Sequence, residues 1–392
     1  MVPMMGDRRA TVLLLLILCF VLSTLSLPLV RATENRWVSK ASMPTARAFF
    51  GVSVVDGKIY AIGSAGGVNE AYDPETNTWT TKEPMLTPRT SFAIAAYENR
   101  IYCIGGYSNG TKTAINEAYD PATDSWETKS SMPTARSQLQ AGAVNGKIYV
   151  IGGILDGGEI LDLNEVYDPA TDTWTTKSSI PYGVYSHCSV VVDNKIYVIS
   201  GQSSSPGNKG PDKGPLTQIY DPETDTWTSG APPPQPAHRS GAVATSGVSA
   251  PKRIYVIGGE VGFMEATNSN QVYDPQTDTW SNGASMPTAR QGLGVAVVND
   301  VIYTIGGSFP EYWVSTPTSG DLNKPHITLV SAKVTPINFM PQQHCGVNEQ
   351  YTPIGSIPEF PSWTPLLITL VVVAVAVVYR RRLSKSQGRA DR

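Results

Sequence analysis

The chain has 392 residues, of which 35 are glycine and 30 are proline and only 16% are charged, a composition that excludes a coiled coil or a helical solenoid. Nine of the 30 basic residues lie in the first 32 and the last 13 positions, so the middle of the chain carries a net charge of about −10. An acidic body excludes a nucleic-acid-binding role, because phosphate recognition requires a basic surface.

Residues 1–32 are predicted to be a signal peptide. Arg8 and Arg9 precede an apolar stretch over positions 11–30, and Ala32 supplies a small residue suited to cleavage. Because the apolar stretch is longer than usual, an uncleaved membrane anchor is the alternative. The prediction places the body of the protein outside the cell.

The middle of the chain repeats two patterns with a period of about 50 residues. The first is Tyr-Asp-Pro-x-Thr-[Asn/Asp]-[Thr/Ser]-Trp, and its five copies begin at Tyr72, Tyr119, Tyr167, Tyr220 and Tyr273. The second is Ile-Tyr followed by a Gly-containing pair, and its six copies begin at Ile59, Ile101, Ile148, Ile196, Ile254 and Ile302. Dipeptides such as Asp56-Gly57 precede most Ile-Tyr copies and favour tight hairpins. Each repeat is therefore predicted to form four antiparallel strands, which must stack on neighbouring repeats to bury both faces.

These patterns resemble the Kelch repeats of β-propellers over about residues 36–353. The sequence departs from the Kelch pattern at Gly63-Ser64, at Ser200-Gly201 and in the last repeat. The resemblance implies an all-β fold of four-stranded antiparallel blades arranged in a ring.

The last repeat predicts how the ring closes. The segment 347–353 aligns with the third strand of the first repeat, but no fourth strand follows it, whereas Trp37 belongs to a fourth strand that lacks the first three. Joining the two ends gives a six-bladed propeller over residues 33–355, closed by the N-terminal strand. Five blades with frayed ends is the alternative.

One face of the predicted propeller carries the long loops. The connections between second and third strands lengthen from a few residues after Ser64 to the whole segment 308–346. Long loops on a rigid scaffold are frequent binding sites, and tolerated insertion is the alternative. Asn109 in one of these loops begins a glycosylation sequon, Asn-Gly-Thr.

The same face is predicted to carry a basic rim. Arginine precedes the first strand of five blades, and His187 lies in the corresponding segment of the fourth blade. Guanidinium groups bind carboxylates through two parallel hydrogen bonds. The ligand-binding candidates are therefore Arg47, Arg89, Arg136, Arg239, Arg290 and His187. The alternative is that each arginine bonds backbone carbonyls between neighbouring blades.

The sequence indicates no catalytic residues, no metal site and no cofactor. Its four histidines lack metal-ligand spacing, and neither a nucleophile motif nor a phosphate-binding loop is present. Three cysteines outside the signal peptide do not make a disulfide framework.

The C-terminal region predicts membrane attachment. A linker, 356–363, precedes an apolar segment, 364–379, and a basic tail, 380–392, begins with three arginines, as expected on the cytoplasmic side. A buried core helix is the alternative. Pro358-Glu359-Phe360, the apolar segment and the arginines together resemble archaeal surface-anchoring signals, which implies an archaeal cell-surface protein.

The leading hypothesis is therefore a single-pass cell-surface binding module, with an extracellular propeller that recognises protein or glycan through its loop-rich face. The alternative is an exported Kelch-fold enzyme of the sugar epimerase or mutarotase type. Such an enzyme would combine arginines of the rim with acids of the loops, namely Asp156, Glu159, Glu260 or Glu265. A structural role in a surface layer is a third possibility.

Overall fold

The computed structural model describes residues 34–203, 215–262, 265–309 and 344–355. The predicted signal peptide and the predicted transmembrane segment 364–379 lie outside these residues. The described chain forms six four-stranded antiparallel sheets and two short two-stranded sheets, of which one is a hairpin, and a 3₁₀ turn spans Ala65–Gly67. The prediction of an all-β, six-bladed propeller is confirmed.

The first three blades follow an N-terminal strand, β1 (Arg36–Ser39). Blade 1 contains β2 (Gly51–Val55), β3 (Lys58–Ile62), β4 (Asn69–Asp73) and β5 (Thr78–Lys82). Blade 2 contains β6 (Ala93–Tyr97), β7 (Arg100–Ile104), the hairpin β8 (Tyr107–Ser108) and β9 (Thr111–Lys112), then β10 (Asn116–Asp120) and β11 (Ser125–Lys129). Blade 3 contains β12 (Gln140–Val144), β13 (Lys147–Ile151), β14 (Asn164–Asp168) and β15 (Thr173–Thr176).

The other three blades complete the ring. Blade 4 contains β17 (Cys188–Val192), β18 (Lys195–Ile199), β20 (Thr217–Asp221) and β21 (Thr226–Gly230), and β16 (Val184–Tyr185) pairs with β19 (Gln202–Ser203) beside it. Blade 5 contains β22 (Gly241–Ala244), β23 (Ile254–Ile257), β24 (Asn270–Asp274) and β25 (Thr279–Asn282). Blade 6 contains β26 (Gly294–Val298), β27 (Val301–Ile305) and β28 (Asn348–Thr352), with β1 as its outer strand.

Blade 6 closes the ring as the sequence predicts. Strand β1 pairs with β28 so that Trp37 lies opposite Tyr351, in the same register as Tyr72 and Trp79 of blade 1. Asn35 accepts hydrogen bonds from the Tyr351 hydroxyl and from the backbone N–H of Ala284 at the end of blade 5. The N-terminal strand thus makes within blade 6 the contacts that a continuous chain makes elsewhere, and it covers an edge that would otherwise be unpaired.

The short turns follow directly from local sequence. Both central residues of the first hairpin, Asp56 and Gly57, have positive φ, which is the geometry of the turn that matches the twist of paired strands. In the Asp-Pro turn of the same blade, the Asp73 carboxylate accepts the backbone N–H of Glu75. The hairpin dipeptides therefore fix strand length and register in the five blades that have them, and a longer connection, Thr245–Arg253, takes their place in blade 5.

Hydrophobic contacts between blades complete the fold. The tyrosine of each Ile-Tyr pair packs against the third-strand tyrosine of the next blade, with ring centroids 5.6–6.1 Å apart. Six apolar clusters form, one at each interface between neighbouring blades. Because every blade depends on two neighbours, closure of the ring buries the last exposed sheet faces.

The antiparallel topology gives the propeller two different faces. The loop-rich face carries the connections between second and third strands and those between blades, and the turn-rich face carries the two kinds of short turn. The chain enters and leaves at the turn-rich face, where the backbone N–H of Asn35 donates to Thr352 and that of Gly355 donates to Glu34.

The turn-rich face also carries a surface ion pair in blades 1 to 5. A basic residue at or just before the start of the second strand pairs with the aspartate of the Asp-Pro turn, as Lys147 does with Asp168 at 2.6 Å. The other pairs are Lys58–Asp73, Arg100–Asp120, Lys195–Asp221 and Arg253–Asp274. In blade 6 both positions lack charge, because Val301 and Thr352 occupy them.

Candidate ligand-binding site

A ring of six backbone hydrogen bonds surrounds the propeller axis at the loop-rich face. One residue of each blade, just before the first strand, donates its N–H to the carbonyl of its counterpart in the preceding blade, with N···O distances of 2.7–3.0 Å. The members of this axial ring are Phe49, Ser91, Gln138, Ser186, Arg239 and Gly292, and all have φ between 52° and 59°. Five non-glycine residues thus hold a left-handed conformation that costs roughly 1–2 kcal/mol each and is sustained by the surrounding structure.

A cavity of about 270 Å³ lies at the axial ring. Its described lining comes from all six blades and consists mainly of the ring members and the residues that follow them in sequence. Besides the ring members, it contains Phe50, Phe92, Leu139, Gln140, His187, Ser240 and Leu293. The cavity therefore combines three phenylalanines with several neutral polar side chains.

Four of the six sequence-predicted binding residues lie outside this cavity lining. Arg47, Arg89, Arg136 and Arg290 are 0–1% exposed, and each pairs with a glutamate on the third strand of its own blade. The glutamates are Glu70, Glu117, Glu165 and Glu349. The expectation that these four arginines form an exposed basic rim is wrong, because their guanidinium groups lie inside the blades.

Arg136 illustrates how such a buried guanidinium is satisfied. Its Nε donates to the carbonyl of Gly152, one Nη donates to Val150, and the other Nη donates to Glu165. Burial lowers the pKa of Arg136, and the charge of Glu165 opposes this shift. The alternative from the sequence is that the arginines bond backbone carbonyls between neighbouring blades. Arg136 does bond backbone carbonyls, but these carbonyls lie within its own blade.

Blades 4 and 5 lack this buried pair, and they lack both partners. Val184 and Ala237 occupy the arginine position, two residues before the axial ring, and Gln218 and Gln271 replace the glutamates. Each glutamine instead bonds the backbone of the connecting segment, as Gln218 does with the N–H and carbonyl of Tyr182. A blade that has arginine at the first position has glutamate at the second, and a blade that has valine or alanine at the first has glutamine at the second. This paired change is visible in the sequence and identifies the glutamates as the partners of the arginines.

Arg239 is therefore not the counterpart of the other four arginines. It is a member of the axial ring, its side chain is 33% exposed, and it lies over the Phe49 ring with the guanidinium carbon 5.6 Å from the centroid. One Nη contacts Glu260 at 2.9 Å and Gln291 at 3.2 Å. A Cβ at Gly292 would lie 2.7 Å from the Phe49 ring, so the glycine lets Phe49 pack at blade 6, where Arg239 lies over it.

His187 lines the cavity at a position where other blades have Phe50, Phe92, Leu139, Ser240 and Leu293. It is 1% exposed, and neither imidazole nitrogen has a hydrogen-bond partner among the described residues. Burial lowers the pKa of His187 to about 3, so the imidazole is neutral at physiological pH. The structure thus brings together two of the predicted residues, Arg239 and His187, at one cavity.

The predicted glycosylation residue lies on the same face. Asn109 is exposed at the tip of the β8–β9 hairpin and has a φ of 48°. The neighbouring Lys112 ties this hairpin to the blade 3 loop, because its N–H donates to Asp156 and its ammonium donates to the carbonyl of Leu155. Modification of Asn109 remains a prediction.

The acids of the alternative enzymatic hypothesis are dispersed. Asp156, Glu159 and Glu265 are exposed on loops, whereas Glu260 is buried beside Arg239. Within the described ranges, no group of three or more His, Cys, Asp or Glu side chains is arranged to hold a metal ion. Among these same residues, no helix has the length and apolar character needed to cross a membrane.

The sequence matches a propeller family over more than half of its length. Residues 101–319 match the Attractin/LZTR1 β-propeller. In a search of solved structures, the structure of YjhT superposes with a TM-score of 0.60 at 17% sequence identity, covering 69% of this chain and 93% of that chain. This second likeness shows the fold alone.

Curated relatives match over shorter segments and are Kelch-like proteins. Kelch-like protein terF of Aspergillus terreus is 35% identical over 98 residues, which cover 24% of this chain and 20% of that protein. Kelch-like protein 35 of Mus musculus is 30% identical over 100 residues, covering 26% and 17%. Kelch-like protein 15 of Danio rerio is 43% identical over 61 residues, covering 14% and 10%. The chain thus spans a fifth or less of the length of these relatives.

Proposed function

Because the chain belongs to the Attractin/LZTR1 β-propeller family, we propose that it is a binding module that recognises a protein partner through its loop-rich face. Kelch-type propellers are commonly protein-interaction modules. The observation that carries the proposal is the asymmetry of the two faces. Short turns make up most of the connections at one face, apart from Thr245–Arg253 in blade 5, whereas the longer connections between second and third strands begin and end at the other face, which also holds an amphipathic cavity.

The contact surface is centred on the axial ring. Tyr107 is 44% exposed and bridges to Thr90 beside the ring member Ser91. Phe49 and Arg239 lie farther along the same rim and are partly exposed. Aromatic residues and arginine contribute much of the binding energy at protein interfaces. This grouping supports a partner that inserts a side chain at the mouth of the cavity.

Site-specific photo-crosslinking in the full chain tests the proposal. A photoreactive amino acid at Tyr107 should capture a defined protein partner on the cell surface. The same amino acid at Lys195, an exposed residue near a first hairpin of the turn-rich face, is the matched control and should capture none. Capture of the same proteins from both positions, or from neither, would contradict recognition through the loop-rich face.

We further propose that the module is displayed at the cell surface by the segment 364–379, with the tail 380–392 in the cytoplasm. The apolar sequence, the arginines that follow it and the Pro-Glu-Phe element support this proposal. The last described residues, up to Gly355, lie at the turn-rich face, and the proposed contact surface lies on the other face.

Membrane extraction tests the anchor. The full chain should stay with membranes after an alkaline carbonate wash, and Val373→Arg should release a large fraction, because arginine at a helix centre costs about 2.5–3.5 kcal/mol of insertion free energy. Ser386→Arg, in the tail, is the control and should not change the partition. Release of the unmodified chain would contradict membrane anchoring.

A further inference from the structure

The cavity at the axial ring has two chemically different sides. Phe49, Phe50 and Phe92, from blades 1 and 2, supply an apolar side. Ser186, His187 and other polar side chains line the side formed by blades 4 and 5, which lie across the axis in a six-membered ring. A ligand that fits both sides must combine an apolar surface with hydrogen-bonding groups.

His187 indicates that the cavity binds a polar group. A buried polar side chain without a hydrogen bond costs about 1–3 kcal/mol, and the corresponding position in blades 1, 2, 3 and 6 is apolar. A neutral imidazole has one N–H donor and one nitrogen acceptor. A hydroxyl group both donates and accepts, so it complements either ring nitrogen.

The charges around the cavity favour a neutral ligand over an anion. Arg239 already contacts the carboxylate of Glu260 at 2.9 Å, and the four buried arginines are each paired with a glutamate. His187 is neutral because burial lowers its pKa. The other polar lining groups are hydroxyls and amides. No unbalanced positive charge is therefore found among the described lining residues.

The volume limits the size of the ligand. At about 270 Å³ the cavity lies just below the range for small-molecule sites, which is about 300–1,000 Å³. A single sugar ring fits this size, its C–H face can pack on phenylalanine, and its hydroxyls can bond to histidine, serine and glutamine. An extended oligosaccharide would have to continue outward past the axial ring.

We propose that this cavity binds one neutral sugar residue, with its C–H groups against the phenylalanine side of the cavity and a hydroxyl hydrogen-bonded to His187. Gln138 and Ser186, which are joined by a side-chain hydrogen bond, supply further polar contacts on the same side. The site goes beyond the proposed protein interface, because it depends on buried lining residues such as His187, although the two sites share Phe49 at the mouth of the cavity.

Calorimetry and ¹⁵N NMR of the histidine-labelled full chain in detergent test the proposal. The probes are the neutral methyl glycosides of glucose, galactose, mannose and N-acetylglucosamine, and glucuronic acid is the anionic comparison. At least one neutral glycoside should bind at millimolar concentration and shift the imidazole ¹⁵N resonances of His187. His187→Phe, the residue at this position in blades 1 and 2, should weaken binding about tenfold or more. His344→Phe is the matched control, because His344 is exposed and is not among the lining residues, and it should bind as the unmodified chain does.

A second variant keeps the test independent of the folding of His187→Phe. Phe49→Leu retains an apolar side chain but removes the aromatic face, and it should also weaken glycoside binding. Failure of every neutral glycoside to bind would overturn the proposal, as would binding of glucuronic acid alone. Binding that both variants leave unchanged would place the sugar elsewhere and overturn it too. None of these results bears on crosslinking from Tyr107, so the sugar site and the protein interface fail independently.

Discussion

Blades 1, 2, 3 and 6 differ from blades 4 and 5 in how they fill the same internal space. In the first group a buried arginine and glutamate bridge the second and third strands, whereas in the second group Val184 or Ala237 takes the arginine position and a glutamine takes the glutamate position. Both partners are charged or both are neutral in every blade. A single buried charge is far more costly than a pair or none, so the two positions can change only together.

The group without buried pairs supplies much of the polar part of the cavity, which Ser91, Gln138 and Gln140 of blades 2 and 3 complete. His187 belongs to blade 4, and Arg239 and Ser240 belong to blade 5. The other four blades place phenylalanine or leucine at the position of His187. The comparison shows that the four blades with a buried Arg–Glu pair are neutralised internally, whereas the two blades without it supply His187 and Arg239, the titratable side chains of the cavity lining.

The largest expected effect comes from breaking a buried pair. Arg136→Val leaves the carboxylate of Glu165 without its partner inside blade 3, so the free energy of unfolding should fall by about 3–5 kcal/mol. The double variant Arg136→Val with Glu165→Gln reproduces the combination of blade 4 and should recover most of this loss. Urea denaturation followed by tryptophan fluorescence measures both. Equal losses of unfolding free energy in the single and double variants would contradict the idea that the unpaired carboxylate of Glu165 causes the loss.

A smaller effect is expected from pH at His187. In the unfolded chain the imidazole binds a proton near its ordinary pKa of about 6.5, whereas burial lowers the pKa in the folded protein to about 3. Between these values the unfolded state binds more protons, so stability contributed by His187 is lost as pH falls from about 6.5 toward 3, by up to about 1.4 kcal/mol per pH unit.

His187→Phe should remove this component, so its stability relative to the unmodified protein should increase as the pH is lowered. Denaturation at several pH values between neutral and mildly acidic measures the difference, which isolates His187 from other titrating groups. A difference that does not vary with pH would mean that the imidazole is protonated or solvated in the folded state.

The smallest effect is expected at the turn-rich face. Lys147→Val with Asp168→Thr gives blade 3 the uncharged pair that blade 6 has at Val301 and Thr352. Exposed ion pairs contribute little because water and salt screen them, so the unfolding midpoint should stay the same in low and high salt. A large salt-dependent loss would show that these repeated surface pairs, and not only the buried ones, stabilise the blades.

Local repetition explains why the architecture could be predicted from the sequence. The Tyr-to-Trp spacing recurs within each blade, so Trp37 and Tyr351 could be assigned to one sheet although they lie at opposite ends of the repeat region. Whether an arginine is buried or exposed could not be predicted from the repeat, because the segment before the first strand has the same local sequence in either case. The partners of the arginines lie on another strand, as Glu349 does for Arg290.

The position of Arg239 was also misjudged from the motif, and the reason is a shift of two residues. Pro236-Ala237 corresponds to Pro88-Arg89, so Ala237 and not Arg239 occupies the buried position. Counting from the prolines, together with the change from Glu to Gln at position 271, would have revealed the shift. The cavity itself depends on how six blades converge, which no single repeat encodes.

The axial ring has a consequence for how such a protein can acquire new ligands. Its six bonds join main-chain atoms, and its members include residues as different as Phe49, Arg239 and Gly292. The diameter of the opening is therefore set by the backbone and is largely insensitive to the side chains that border it. Selection can exchange those side chains one blade at a time while the aperture persists, so recognition and folding can evolve separately at this position.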